Sequence, residues 1–165
     1  MAKLKGTKKL NKYINEYVKQ FGVKAKLDNE FWWETDTNKI YYSLTVCENH
    51  NRDFQKFCED EFGLKYNCDI FLLDLYHELG HYFTNYLLTD EEESFCYDLR
   101  EYLETKEKLT NTDYYAYYLM TDEYRATEWA VNYINTHEKE IAKFYKGLQK
   151  RIIKFYKKNN VECVG

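Results

Sequence analysis

Between positions 70 and 88 the chain reads IFLLDLYHELGHYFTNYLL, a run without lysine or arginine in a sequence that carries 24 of them elsewhere. Placed at 100° per residue, Asp74, His77, Glu78, His81, Thr84 and Asn85 share one arc of about a third of the circumference. Leu72, Leu75, Tyr76, Leu79, Tyr82, Phe83, Tyr86 and Leu87 cover the remainder. A helix apolar on so many sides has to be packed on several of them, so this run predicts a central helix around which the other elements assemble. The polar arc is also unlike a solvent face, because it holds no long cation and sets two imidazoles one turn apart.

With 165 residues and 44% hydrophobic content, the sequence predicts one compact domain spanning 1–165. Leu10, Tyr13, Ile14, Tyr17, Val18 and Phe21 lie at helical spacing, with Thr7 as the expected N-cap and Gly22 as the stop. Two β-rich runs around Asp36–Lys39 predict a hairpin, the one convincing strand pair. Further helices are predicted over 51–63, through the central run, over about 91–108 and over 112–135, the last with a break near Thr121 and Asp122. A final helix from about His137 to Lys158 should bury Ile141, Phe144, Leu148, Ile152 and Phe155. The fold class expected is α+β, mainly helical, with a small β-hairpin or sheet.

His77-Glu78-Leu79-Gly80-His81 is the H-E-x-x-H pattern, in which histidines at i and i+4 offer one nitrogen each to a single zinc ion and the intervening glutamate is a general base. Gly80 costs about 1 kcal/mol in a helix interior relative to alanine, which predicts something lying close against the backbone there. A catalytic zinc takes three protein ligands plus water, so a third must come from elsewhere. Thr84 and Leu87 stand where the longer metzincin motif has glycine and histidine, leaving acidic residues. Glu123 shares a helical face with Leu119, Met120, Ala126, Thr127, Ala130, Val131 and Ile134, and a carboxylate on such a face needs a metal or hydrogen bonds. It also fits a first-turn carboxylate favoured by the helix dipole. Glu128 lies on another face, beside Arg125, and reads as a solvated charge. Asp74, one turn before His77, is placed either to orient an imidazole or to charge the helix start.

These residues resemble the ImmA/IrrE family of metallopeptidases, whose H-E-L-G-H motif is followed by a helix of the form E-x-x-A-x-x-[FW]-A. The matching segments here are His77–His81 and Glu123-Tyr124-Arg125-Ala126-Thr127-Glu128-Trp129-Ala130, and with the hairpin the resemblance covers roughly residues 30–135. The stretch from His81 to Glu123 is longer than usual, and the family's Glu-Ala-Asn is replaced by Arg125-Ala126-Thr127. The resemblance implies a zincin-like metallopeptidase domain with Zn²⁺ on His77, His81 and Glu123 and Glu78 as the base. It further implies a protein or peptide substrate, in such families a DNA-binding transcriptional repressor of a phage or mobile element. Tyr114, Tyr115, Tyr117 and Tyr118 are the nearest dense supply of donors for a developing oxyanion.

The net charge of −4 and pI near 5.6 offer no basic field for a phosphate backbone, so no direct nucleic-acid partner is expected. The start, MAKLKGTKKL, lacks an apolar run behind its basic residues, and no stretch is long and apolar enough for a membrane span, which predicts a cytoplasmic protein without a membrane partner. Cys47, Cys58, Cys68, Cys96 and Cys163 are odd in number and never spaced C-x-x-C, predicting reduced, mostly buried thiols. A second reading has the same cluster as a structural metal site in a non-catalytic protein-interaction module, closed by His50, His137 or a cysteine. The acidic segment 89–107 is either a solvated helix face or a surface that attracts a basic partner.

Overall fold

The computed structural model describes residues 6–44, 48–66 and 69–159, with the backbone alone at 48–51. The described residues are mainly helical with one small sheet, as expected for the α+β class. The chain separates into two compact units: Met1–Val46 with Thr136–Gly165, and Cys47–Asn135.

In the first unit, helix α1 (Thr7–Val18) buries Leu10, Ile14 and Val18. Thr7 is its first helical residue, and Gly6 occupies the cap position without a side-chain cap. A short 3-10 turn follows and closes at Gly22, whose φ of 83° is a left-handed conformation that suits glycine. Strands β2 (Trp32–Glu34) and β3 (Lys39–Tyr42) form the predicted antiparallel hairpin, with Trp32 opposite Tyr41 and their rings stacked. The structure adds a strand the sequence did not reveal, β1 (Lys24–Leu27), parallel to β3 with Ala25 opposite Ile40. The other edge of β1 is paired by side chains: Asn15 donates to the Ala25 carbonyl at 2.6 Å and accepts from its N–H at 2.8 Å, while Asn11 accepts from the Leu27 N–H. Helix α7 (Glu138–Asn159) buries Ile141, Phe144, Leu148 and Phe155, with Ile152 only partly covered.

The second unit consists of helices α2 (Glu48–Phe62), α3 (Ile70–Thr84), α4 (Asp90–Glu104), α5 (Asn111–Tyr118) and α6 (Thr121–Thr136). Helix α3 is the central one. Its N-cap Asp69 accepts from the Phe71 N–H, and Leu72, Leu75, Tyr76 and Leu79 are fully buried. The helix stops at Thr84 and gives way to a 3-10 turn over Asn85–Leu87, so Tyr86 and Leu87 point outward, against the expectation that they pack. Helix α4 opens with a Thr89–Glu92 capping box and α5 with a Thr110–Asp113 one, each satisfying N-terminal N–H groups reciprocally. The predicted break between α5 and α6 falls at Leu119 and Met120; Leu119 is exposed rather than part of the buried face of α6. Cys58 and Cys96 are buried and form no disulfide, whereas Cys47, Cys68 and Cys163 lie outside the described residues. Among the described residues no helix is long and apolar enough to cross a membrane.

Candidate metal centre

Two helices of the second unit build the site. They touch at Gly80, where an added Cβ would lie 2.2 Å from the Ala126 carbonyl oxygen of α6. The mid-helix glycine therefore answers a backbone approach, as its position predicted. Ala126 and Ala130 are fully buried along the same seam, and their small side chains permit that spacing.

This approach brings Glu123 from the first turn of α6 onto the two histidines of α3. His77 Nε2 is 3.1 Å from His81 Nε2 and 2.9 Å from Glu123 Oε2, and His81 Nε2 is 3.5 Å from the same oxygen. All three side chains are buried. The edge of a zinc tetrahedron with bonds of about 2.0–2.1 Å is roughly 3.3 Å. The three donor atoms thus outline one face of such a tetrahedron.

The tautomers follow from the neighbours. Thr127 Oγ1 donates its one proton to the Glu123 carbonyl at 2.7 Å, so toward His77 it accepts from Nδ1–H, at 3.0 Å. Asn85 Oδ1 likewise accepts from His81 Nδ1–H, at 3.2 Å. With both imidazoles neutral, their Nε2 lone pairs face the Glu123 carboxylate, and three acceptors converge with no donor among them. Such a cluster calls for a positive charge. Burial opposes charging His81, yet the adjacent Glu123 carboxylate more than offsets it and lifts the imidazole to about 9. His77, His81 and Glu123 together could hold a metal ion, and they form the one such group among the described residues.

Glu78 is half-buried beside this cluster; burial raises its carboxyl above the usual range while both imidazoles pull it down. Asp74 does not orient either ring, since Thr127 and Asn85 occupy the two Nδ1 positions. Burial, then the charges of Glu78 and Asp69, push its carboxyl up to about 8. An edge-on ring of Phe54 flanks His77 at 5.3 Å.

Glu123 is less isolated than the sequence implied. Arg100, from α4, places Nη2 2.5 Å from Glu123 Oε1 and 2.6 Å from Asp122 Oδ2. Tyr117 Oη donates to the same Glu123 Oε1 at 2.8 Å, so of the four neighbouring tyrosines this one reaches the site and serves the carboxylate. Arg100 lay in a segment read as acidic surface, although its spacing from the buried Cys96 and Leu103 puts it on the inward face of α4. Arg125 does not pair with Glu128: it forms a two-pronged ion pair with Glu92 at 3.1 Å for each prong and also donates to the Leu87 carbonyl. Glu128 is exposed. His50, named as a possible fourth ligand, has its side chain outside the described residues.

No protein-family model, curated protein or solved structure matches this chain.

Proposed function

We propose that the second unit is a zinc-dependent endopeptidase of zincin type, similar to the ImmA/IrrE metallopeptidases. The observation that carries this reading is the convergence of His77 Nε2, His81 Nε2 and Glu123 Oε2 at tetrahedral-edge spacing. Two imidazoles and a carboxylate are a donor set that suits zinc, and three protein ligands leave a position for water. Zinc held there supplies a Lewis acid that polarises a carbonyl and makes water more acidic. Glu78 takes the proton as the water oxygen bonds to the scissile carbonyl carbon, then delivers it to the amide nitrogen as the C–N bond breaks. Thr127 and Asn85 hold the imidazoles in the required tautomer throughout.

The substrate proposed is a protein, specifically a DNA-binding repressor of a phage or mobile element, cleaved in the cytoplasm at one bond. That part rests on the resemblance of His77–His81 and Glu123–Ala130 to the family motifs. The test is to incubate the wild type and Glu78→Gln with candidate repressors and to analyse the products by mass spectrometry. The variant should keep its metal and fold and cleave nothing, since an amide preserves shape without a basic oxygen. Cleavage by Glu78→Gln near the wild-type rate would reject the base assignment, and digestion of unrelated unfolded proteins would reject the selectivity.

A further inference from the structure

The two oxygens of Glu123 have different surroundings. Oε2 faces the imidazoles, whereas Oε1 receives Arg100 Nη2 at 2.5 Å and Tyr117 Oη at 2.8 Å. Arg100 is itself shared: the same Nη2 reaches Asp122 Oδ2, and the other oxygen of Asp122 accepts from the Glu123 N–H at 2.9 Å. The charges sort accordingly. Arg100 and Asp122 cancel as a pair, so the guanidinium can grip Oε1 while Glu123 keeps its negative charge for whatever sits beyond Oε2. Tyr117 adds an uncharged donor, and the Arg100 guanidinium lies 5.8 Å from its ring.

A carboxylate free to rotate can bind a metal through both oxygens, and the second would take the coordination position that water needs. We propose that Arg100 and Tyr117 are positioning residues that hold Glu123 as a one-oxygen ligand, occupying Oε1 so that Oε2 alone is presented to the metal. The inference rests on the metal-centre reading above. It gives the acidic helix α4 a task at the site, since that helix supplies the arginine.

The experiment compares wild type, Tyr117→Phe and Arg100→Gln, each checked for fold by circular dichroism. Tyr117→Phe removes one hydroxyl and no volume elsewhere, so it remains informative if the arginine variant is unstable. Zinc affinity is read by competition with a chelator, and the number of donors by the visible spectrum of the cobalt(II)-loaded protein. Each variant should lose 10–100-fold in zinc affinity, the range for removing a partner of a metal ligand. The intense visible band of four-coordinate cobalt should weaken toward that of a higher coordination number. Affinities within twofold of wild type with an unchanged cobalt spectrum would overturn the inference while leaving the metal centre intact. Lower stability with an unchanged spectrum would make Arg100 a structural tie and overturn it equally. A wild type that takes up neither zinc nor cobalt would bring down the metal-centre reading, and this inference with it.

Discussion

Gly80 of α3 lies against the backbone of Ala126 in α6, so closely that a methyl group at position 80 would sit 2.2 Å from the Ala126 carbonyl oxygen. Helix propensity alone makes Gly80→Ala stabilising by about 1 kcal/mol. The contact reverses that sign, because the atom to be displaced is backbone and cannot rotate away. Gly80→Ala should destabilise the protein by about 1–3 kcal/mol, the usual range for overpacking. It should also weaken metal binding, since the same displacement moves Glu123 away from His77 and His81. Denaturant midpoints and a zinc titration check both; a midpoint above wild type would contradict the contact.

Glu123 and Glu128 share a helix but not an environment, one buried against two imidazoles and the other exposed. Glu123→Ala should abolish stoichiometric zinc uptake, whereas Glu128→Ala should leave it unchanged, as read by elemental analysis. Chelation should lower the melting temperature of the wild type and of Glu128→Ala, and have no effect on Glu123→Ala. Equal metal loss in both glutamate variants would exclude Glu123 as a ligand.

Thr127 fixes the His77 tautomer through one hydroxyl that accepts from the ring and donates to the Glu123 carbonyl. Thr127→Val keeps the shape and removes both bonds. We expect zinc affinity to fall 10–100-fold with the helical circular dichroism unchanged. Chelator competition measures this, and an affinity equal to wild type would show that the ring needs no such anchor.

Asp113 offers a pH test away from the candidate metal centre. Lys106, then the N–H and hydroxyl of Thr110, hold its carboxyl down at about 2. A carboxyl depressed below its unfolded value of about 3.9 adds stability above that value, and the gain is lost as the pH falls toward 2. Urea midpoints measured from pH 5 to pH 2 should therefore drop more steeply for wild type than for Asp113→Asn, and the two should converge at the acid end. Parallel curves would show that the capping box of α5 does not depend on this ionisation.

What the sequence made legible was local. Two histidines one turn apart, a glycine where none is needed and a glutamate on an apolar face all follow from helical periodicity. Strand β1 was hidden because Lys-Ala-Lys-Leu is short and half of its backbone partners are the side chains of Asn11 and Asn15. The partners of Glu123 were hidden for another reason. Arg100 is remote from it in sequence, and only the packing of α4 joins them. Asp74 lies one turn from His77, which suits orienting a histidine as well as charging the helix start, but Asn85 takes the orienting place for His81, and for His77 it falls to Thr127, on another helix.

The first unit is assembled from both ends of the chain, with the ring of Tyr17 in α1 stacked 3.7 Å from that of Phe144 in α7. A ribosome reading this message therefore brings both histidines, Arg100, Tyr117 and Glu123 out of its exit tunnel before α7. The candidate metal centre should be the early-maturing part of the newborn protein, and α1 and the sheet should wait for α7. Nascent chains arrested after Asn135 plus an unstructured linker long enough to clear the ribosomal exit tunnel would then resist protease across α3–α6 while remaining cleavable at α1, and full protection would arrive only once α7 has emerged as well.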